Sequence, residues 1–383
     1  FLMAVSDVAD LLAELVAIPS VNPGTHEPEA PTEGEARVAA FVRDFCEDLG
    51  LQVELQEVLP GRPNVIARLQ VSDRPTLLLQ THMDVVSPLS DEAEAFTPKL
   101  RAGRMYGRGA CDAKASLAAM LHALARAAQD PSPLVRSVVL AAAVDEEYRF
   151  RGVEAMVRSG LRADEVVVGE PTQLQIVVAH KGAMRWQMIV RGRAAHSARP
   201  ELGDNAVYKM ARLVSTLEEY AGELAEQPGE DQLGGPTLSV GVIRGGHMPN
   251  IVPDYCEILV DRRLVPGESF DHAEDHLQRF LQSRLGPDFA YEAQLILADL
   301  PLSRTHNREL AARAQRIVGE VLGEGLITCV HYGSDASKFA ARGMPAILLG
   351  PGNIAQAHAA DEWVDLQQVC AASEVYYRLM TRE

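Results

Sequence analysis

Cationic side chains are scarce: 36 Lys and Arg stand against 53 Asp and Glu, a formal charge of −17 over 383 residues. A nucleic-acid or anionic-membrane surface needs a basic patch, and none stands out along the chain. Cysteine is sparse as well. Cys46, Cys111, Cys256, Cys329 and Cys370 lie far apart and form no C-x-x-C pair, so neither a zinc knuckle nor a redox dithiol is indicated. An odd, scattered set reads as reduced thiols of a cytoplasmic protein. No apolar run approaches the roughly 20 residues of a membrane span. The stretch up to Ser20 carries Asp7, Asp10 and Glu14 with no basic start, so it does not read as a secretory signal. No G-x-G-x-x-G follows a first strand and no Walker-type loop occurs, which argues against nucleotide chemistry. Internal repeats and low-complexity tracts are missing too.

What remains is globular: 47% hydrophobic and 23% charged residues, in a chain long enough for two domains with full cores. Val8, Leu11, Leu12, Leu15 and Val16 recur at helical spacing, and a second helix is expected over roughly Glu35 to Leu49, closed by Gly50. Between them, Val21 to Thr32 reads as a loop. Short continuous apolar runs follow at Asn64 to Leu69, Thr76 to Gln80, Ser137 to Val144, Glu165 to Gly169 and Pro345 to Gly350. Continuous rather than alternating, they suit strands covered on both faces. Helices are expected at Ala113 to Ala128, Arg308 to Gly323 and Leu366 to Leu379, giving an α/β architecture.

The middle of the chain differs. Strands are expected at Gly182 to Arg191, Thr237 to Val242 and Tyr255 to Arg263, and helices at Asn205 to Tyr220 and Phe270 to Leu285. Gly222 to Gly235 reads as a surface loop. The order β-α-β-β-α suits a small α+β sheet, so residues 181–293 are taken as a second domain inserted between 1–180 and 294–383.

The chemistry-bearing residues gather at strand ends. His82 and Asp84 follow the Thr76 strand two residues apart, a spacing that points both to one side of an extended chain. Asp112 closes a Gly-containing turn before a helix. Asp145, Glu146 and Glu147 end the Ser137 strand; three adjacent carboxylates repel one another, so something positive or good solvation should compensate them. Adjacent side chains diverge, so of Glu146 and Glu147 one can bind a metal while the other handles a proton. Glu170 ends the Glu165 strand, and His358 lies in a loop after Gly350. Read singly, Asp112 is an N-cap, the acidic tripeptide a solvated turn and His358 an ordinary loop histidine. Together they lie where open α/β sheets bind ligands, beyond the carboxyl ends of strands. Two His and several carboxylates suit zinc or a similar divalent ion, and one carboxylate could bridge two ions. Such a site polarises a carbonyl and lowers the pKa of bound water to about 7, and a free carboxylate beside it would serve as general base. The expected chemistry is hydrolysis.

In order along the chain come His82-Met-Asp84, Gly107-Arg-Gly-Ala-Cys-Asp112-Ala-Lys114, Asp145-Glu-Glu147, Gly169-Glu-Pro-Thr172, Ala195-His196-Ser197, Asp261 to Gly267, and Gly350 to Glu362. This set resembles the M20 metallopeptidase family, which includes acetylornithine deacetylases, succinyl-diaminopimelate desuccinylases, aminoacylases and carboxypeptidases. The resemblance spans nearly the whole chain. It implies a zinc-peptidase-like catalytic domain, with a central mixed sheet flanked by helices, and an inserted ferredoxin-like lid that dimerises. It also implies two divalent ions, Zn2+ with Co2+ or Mn2+ as substitutes. His82 and Glu170 would complete one site, Glu147 and His358 the other, and Asp112 would bridge them. Asp84 would hold the His82 imidazole, and Glu146 would move the proton. His196 would stabilise the oxyanion, commonly from the partner subunit of a homodimer. Asn250, Arg263, Lys181 and Ser334 would contact substrate, with Arg262 one residue out of register.

Two local matches, Val168 to Leu174 with Ala179 to Gly182 and Leu349 to Glu362, resemble the acetylornithine deacetylase branch. They imply deacetylation of an N-acyl amino acid in arginine biosynthesis. A succinyl-diaminopimelate desuccinylase, an aminoacylase or a metallo-carboxypeptidase or dipeptidase is the alternative within the family, and a non-catalytic binding protein of the same fold lies outside it. One departure stands out: Asp112-Ala-Lys-Ala-Ser replaces the family's Asp-Met-Lys-Gly-Gly, which bears on pocket shape rather than on a metal ligand.

Overall fold

The computed structural model describes residues 7–24, 33–71, 73–89, 91–227, 229 and 232–383. Most of the Val21 to Thr32 loop and part of the Gly222 to Gly235 loop lie outside these residues. The chain divides into two compact units, Phe1–Val178 with Arg304–Thr328 and Ser334–Glu383, and Ala179–Ser303 with Cys329–Gly333.

An eight-stranded mixed sheet carries the first unit. Its order is Gln52–Leu59, Arg62–Leu69, Ser137–Ala143, Thr76–His82, Glu165–Val168, Ala346–Leu348, Ile176–His180 and Ile327–Val330. The run from Ser137–Ala143 to Ala346–Leu348 is parallel, while the strands at the Gln52 edge are antiparallel. Every residue of Ser137–Ala143 is buried, which is why it reads as one apolar run. Helix Val8–Val16 buries the five apolar residues of its periodic face and packs with Lys114–Gln129 and Leu366–Thr381. Lys114–Gln129 is buried nearly all round, as its Ala-rich sequence permits. It starts after Ala113 without a side-chain cap, so Asp112 is not its N-cap. The second helix, Glu33–Asp48, packs on Arg62–Leu69.

The second unit is a four-stranded antiparallel sheet in the order Thr237–Gly245, Tyr255–Leu264, Gly182–Arg191, Glu292–Asp299. With helices Ala206–Ala225 and Phe270–Leu285 the chain order is βαββαβ, that of a ferredoxin-like unit. Alternate residues of Tyr255–Leu264 are buried, and Cys256, Ile258 and Val260 join the helices in one apolar core. Glu292–Asp299 has no counterpart in the sequence reading: its first five residues are exposed, so no apolar run marks it. Helix Ala206–Ala225 also outruns its expected end, carrying Gly222 within the helix rather than in a loop.

Candidate metal centre

Parallel strands deliver the acidic and imidazole side chains to one edge. Thr76–His82 ends on His82, Ser137–Ala143 leads into the acidic tripeptide, and Glu165–Val168 leads into Glu170. His82 is level with Ala143 and Gln80 with Val168. Two groups of ligand atoms form there, one from His82, Asp112 and Glu170 and one from Asp112, Glu147 and His358. Within each group the atoms lie within 4.8 Å of one another. Asp112 belongs to both: Oδ1 is 3.1 Å from His82 Nε2, and Oδ2 is 3.5 Å from His358 Nε2. Glu147 Oε1 stands 3.2 Å from the same His358 nitrogen.

Behind these groups lies a hydrogen-bonded support. The carboxylate of Asp84 accepts the backbone N–H of Glu146 at 3.1 Å and of Glu147 at 3.0 Å. It therefore fixes the turn that carries both glutamates. His82 Nδ1 donates to the Asp84 carbonyl at 2.9 Å, whereas the Asp84 carboxylate is 3.6 Å away. The imidazole is thus held by the main chain of Asp84, a tautomer-fixing contact typical of metal-binding histidines, and the carboxylate holds the acidic turn. Asp145 belongs to neither ligand group. It pairs with Arg62 at 3.2 Å and Arg151 at 2.6 Å, and accepts from Asn22 at 3.1 Å. These guanidiniums supply the compensation that three adjacent carboxylates require. Asp145 takes a positive φ of 62° at this turn.

The remaining charges are less balanced. Burial pushes the Glu146 and Glu170 carboxyls well above the ordinary carboxylate range. His82 opposes the shift in both, while repulsion from Asp335 and Glu147 adds to it. Burial and then Asp112 raise Glu147, with His358 opposing. Glu170 Oε1 is buried without a hydrogen-bond partner. An excess of buried carboxylate, an orphaned oxygen and two imidazoles form a donor set that fits divalent cations.

Residues 78–382 match the profile described as Peptidase family M20/M25/M40. The chain belongs to peptidase family M20/M25/M40. It is 32% identical to an acetylornithine deacetylase of Myxococcus xanthus over 378 residues, covering 96% of this chain and 95% of that one. It is 30% identical to another from Aliivibrio salmonicida over 358 residues, 91% of this chain and 92% of the relative. Among solved structures, an M20 family metallo-carboxypeptidase from Sulfolobus solfataricus superposes with a TM-score of 0.83 at 22% identity, over 98% of this chain and 99% of that one. A Bacillus subtilis M20 peptidase described as dinuclear metal-binding gives a TM-score of 0.70 at 14% identity, over 98% and 97% of the two chains.

The departure from the usual M20 glycine pair has a local explanation. Ser116 is fully buried, and a Cβ built on Gly169 would stand 2.6 Å from its Cβ, one on Gly350 2.5 Å from its Oγ. Glycines at 169 and 350 leave the room that Ser116 fills. Ser334 is buried, and its Oγ accepts the Ala336 N–H at 3.2 Å at the start of helix Ala336–Ala340.

In the inserted unit of this M20 chain, Ala195–His196 forms a two-residue strand pair with Ile251–Val252. Asn250 lies next to it, and its carbonyl accepts the Ser197 N–H at 3.0 Å. His196 is exposed, and its Nδ1 accepts the Ala198 N–H at 3.1 Å. An imidazole accepting at Nδ1 carries its proton on Nε2, where it can be donated. Arg262 is 1% exposed and pairs with Glu268 at 2.7 Å, whereas Arg263 is on the opposite face of the strand, bonded to Asp261 at 2.7 Å. Lys181 donates to the Gly235 carbonyl at 2.6 Å, and burial lowers its pKa.

Sequence reasoning missed several supporting groups: Asn22, Arg62, Gln80 and Asp335. Asp335 accepts from Gln80 at 2.5 Å, and burial pushes its carboxyl up to about 6. Arg62 had a signal: it opens a strand that continues as an apolar run, and a cation there needs buried anions.

Proposed function

We propose that this M20 hydrolase cleaves the amide bond of an N-acyl amino acid, with N-acetyl-L-ornithine as substrate. The observation that carries the reading is the carboxylate of Asp112, with one oxygen beside His82 and the other beside His358. In this reading His82, Asp112 and Glu170 hold one ion and Asp112, Glu147 and His358 the other, with Zn2+ the natural occupant of such a set. Bound there, two divalent ions polarise the scissile carbonyl and acidify water. Glu146 takes a proton from the attacking water and returns it to the leaving amine. Its burial supports this role, since burial raises the carboxyl and so makes it a stronger proton acceptor than an ordinary glutamate. His196 donates from Nε2 to the developing oxyanion, and Asn250 and Arg263 bind the substrate carboxylate, Arg by a two-pronged hydrogen bond. In the same reading Lys181 and Ser334 contact the substrate. Pairing of two copies through the inserted unit would bring His196 to the neighbouring site.

The test is free-amine release by Zn2+- or Co2+-supplemented protein from N-acetyl-L-ornithine, other N-acetyl amino acids, N-succinyl-diaminopimelate and dipeptides. Strong preference for acetylornithine is expected. Preference for another member of the panel replaces the substrate and keeps the chemistry; no release from any, with metal bound, defeats the reading.

A further inference from the structure

The two ligand groups share Asp112, so whatever fixes the Asp112 backbone acts on both. That backbone is gripped by one side chain from far along the chain. Glu362 is 3% exposed. Its Oε1 accepts the N–H of Cys111 at 2.8 Å and of Asp112 at 3.0 Å. Its Oε2 accepts from Arg108 Nη1 at 2.6 Å, and its carbonyl accepts the Gly107 N–H at 3.0 Å. Immediately beyond, Trp363–Asp365 pairs with Arg104–Tyr106, Trp363 opposite Tyr106. At the other end of the same loop, Cys111 Sγ donates to the Asn353 carbonyl at 3.4 Å. The loop that carries His358 is therefore fastened to the turn that carries Asp112 at both ends, and the Glu362 carboxylate is the fastening that takes the Asp112 N–H itself.

We infer that Glu362, held by Arg108, is a positioning residue that sets the orientation of Asp112 and thereby the affinity of both metal positions. It touches no ligand atom. Its carboxylate wraps the Asp112 peptide and so fixes which way each Asp112 oxygen points, towards His82 or towards His358. Arg108 occupies the second carboxylate oxygen, which leaves the first to take both N–H groups. A glutamine at 362 accepts with one atom only, and its amide N–H2 then meets either the Arg108 guanidinium or the two backbone donors. The turn loses part of its grip in either orientation. This inference rests on the two-ion reading of the site.

The experiment is a Co2+ titration of metal-free protein, followed by visible absorption, for wild type, Glu362→Gln and Arg108→Lys, with melting temperatures of the metal-free forms measured in parallel. Glu362→Gln is expected to weaken both binding steps by about 10- to 100-fold, the range for groups that orient metal ligands, and to change the Co2+ band shape. Arg108→Lys should move both steps the same way by less. Two steps of wild-type affinity and wild-type band shape in Glu362→Gln, even with a lowered melting temperature, would overturn the inference while leaving the two-ion reading intact. If Glu362→Gln does not fold, unchanged Co2+ affinities in Arg108→Lys overturn it instead. Wild-type protein that takes up fewer than two Co2+ ions removes the reading itself and the inference with it.

Discussion

The two ligand groups that meet at Asp112 differ in their surroundings. On one side, His82 is 1% and Glu170 5% exposed, both set at the ends of paired parallel strands. On the other, the His358 side chain is 51% exposed and comes from a loop. A ligand on a buried strand end keeps its geometry without the ion, because packing fixes it; a loop imidazole open to water has alternatives. Preorganisation lowers the cost of binding, so the buried group should hold its ion more tightly and release it more slowly.

Breaking the comparison altogether takes the residue both groups share. Asp112→Ala should lose both ions and all measurable turnover, read as metal per chain after gel filtration beside amine release. A variant that still holds two ions ends the shared-ligand assignment. Next in size is the proton. Glu146→Gln keeps shape and removes basicity, so turnover should fall by about 10²- to 10⁴-fold while two ions remain bound. Near-normal turnover would take the base assignment away from Glu146.

Sharpening the comparison requires one ligand from each side. His358→Ala should keep a single ion that resists chelator, and Glu170→Ala a single ion that chelator removes readily. Wild-type protein should release its ions in two phases, one matching each variant. Equal lability of the two variants would show that burial does not distinguish the groups.

The sequence made the contributors visible and left their arrangement hidden. Glu147, Glu170 and His82 could be picked out because each ends a run of buried apolar residues, and a charge after such a run is conspicuous. Their convergence follows from strand order: Ser137–Ala143, later in the chain, pairs on one flank of Thr76–His82, and Glu165–Val168 pairs on the other. The supports were opaque for a related reason. Gln80 and Asp335, or Arg108 and Glu362, are about two-thirds of the chain apart, and neither member carries a local signal that names the other. Edge strand Glu292–Asp299 escaped notice because little of it is buried. The fold was readable wherever burial imposed a pattern. Where buried polar groups pair across a long sequence separation, or a strand stays exposed, no local pattern marks them.

The smallest effect asks whether the two groups stand on one foundation. Asn22 Nδ2 donates to Asp84 Oδ2 at 2.8 Å and to Asp145 Oδ1 at 3.1 Å. Asp84 in turn holds the Glu146 and Glu147 backbone and lies against His82. Asn22 therefore sits beneath a ligand of the buried group and a ligand of the open one. Asn22→Ala removes a donor to two buried carboxylates. Each keeps other partners, the Glu147 N–H for Asp84 and the Arg62 and Arg151 guanidiniums for Asp145, so the loss stays within the ordinary range for a hydrogen bond to a charged group. Denaturant unfolding of metal-free protein should show a decrease of about 1 to 3 kcal/mol. Metal affinities should fall by a similar, small factor on both sides, preserving the difference between them. A fall confined to the His358 side would mean that Asp84 supports the acidic turn alone and that His82 is held by its strand.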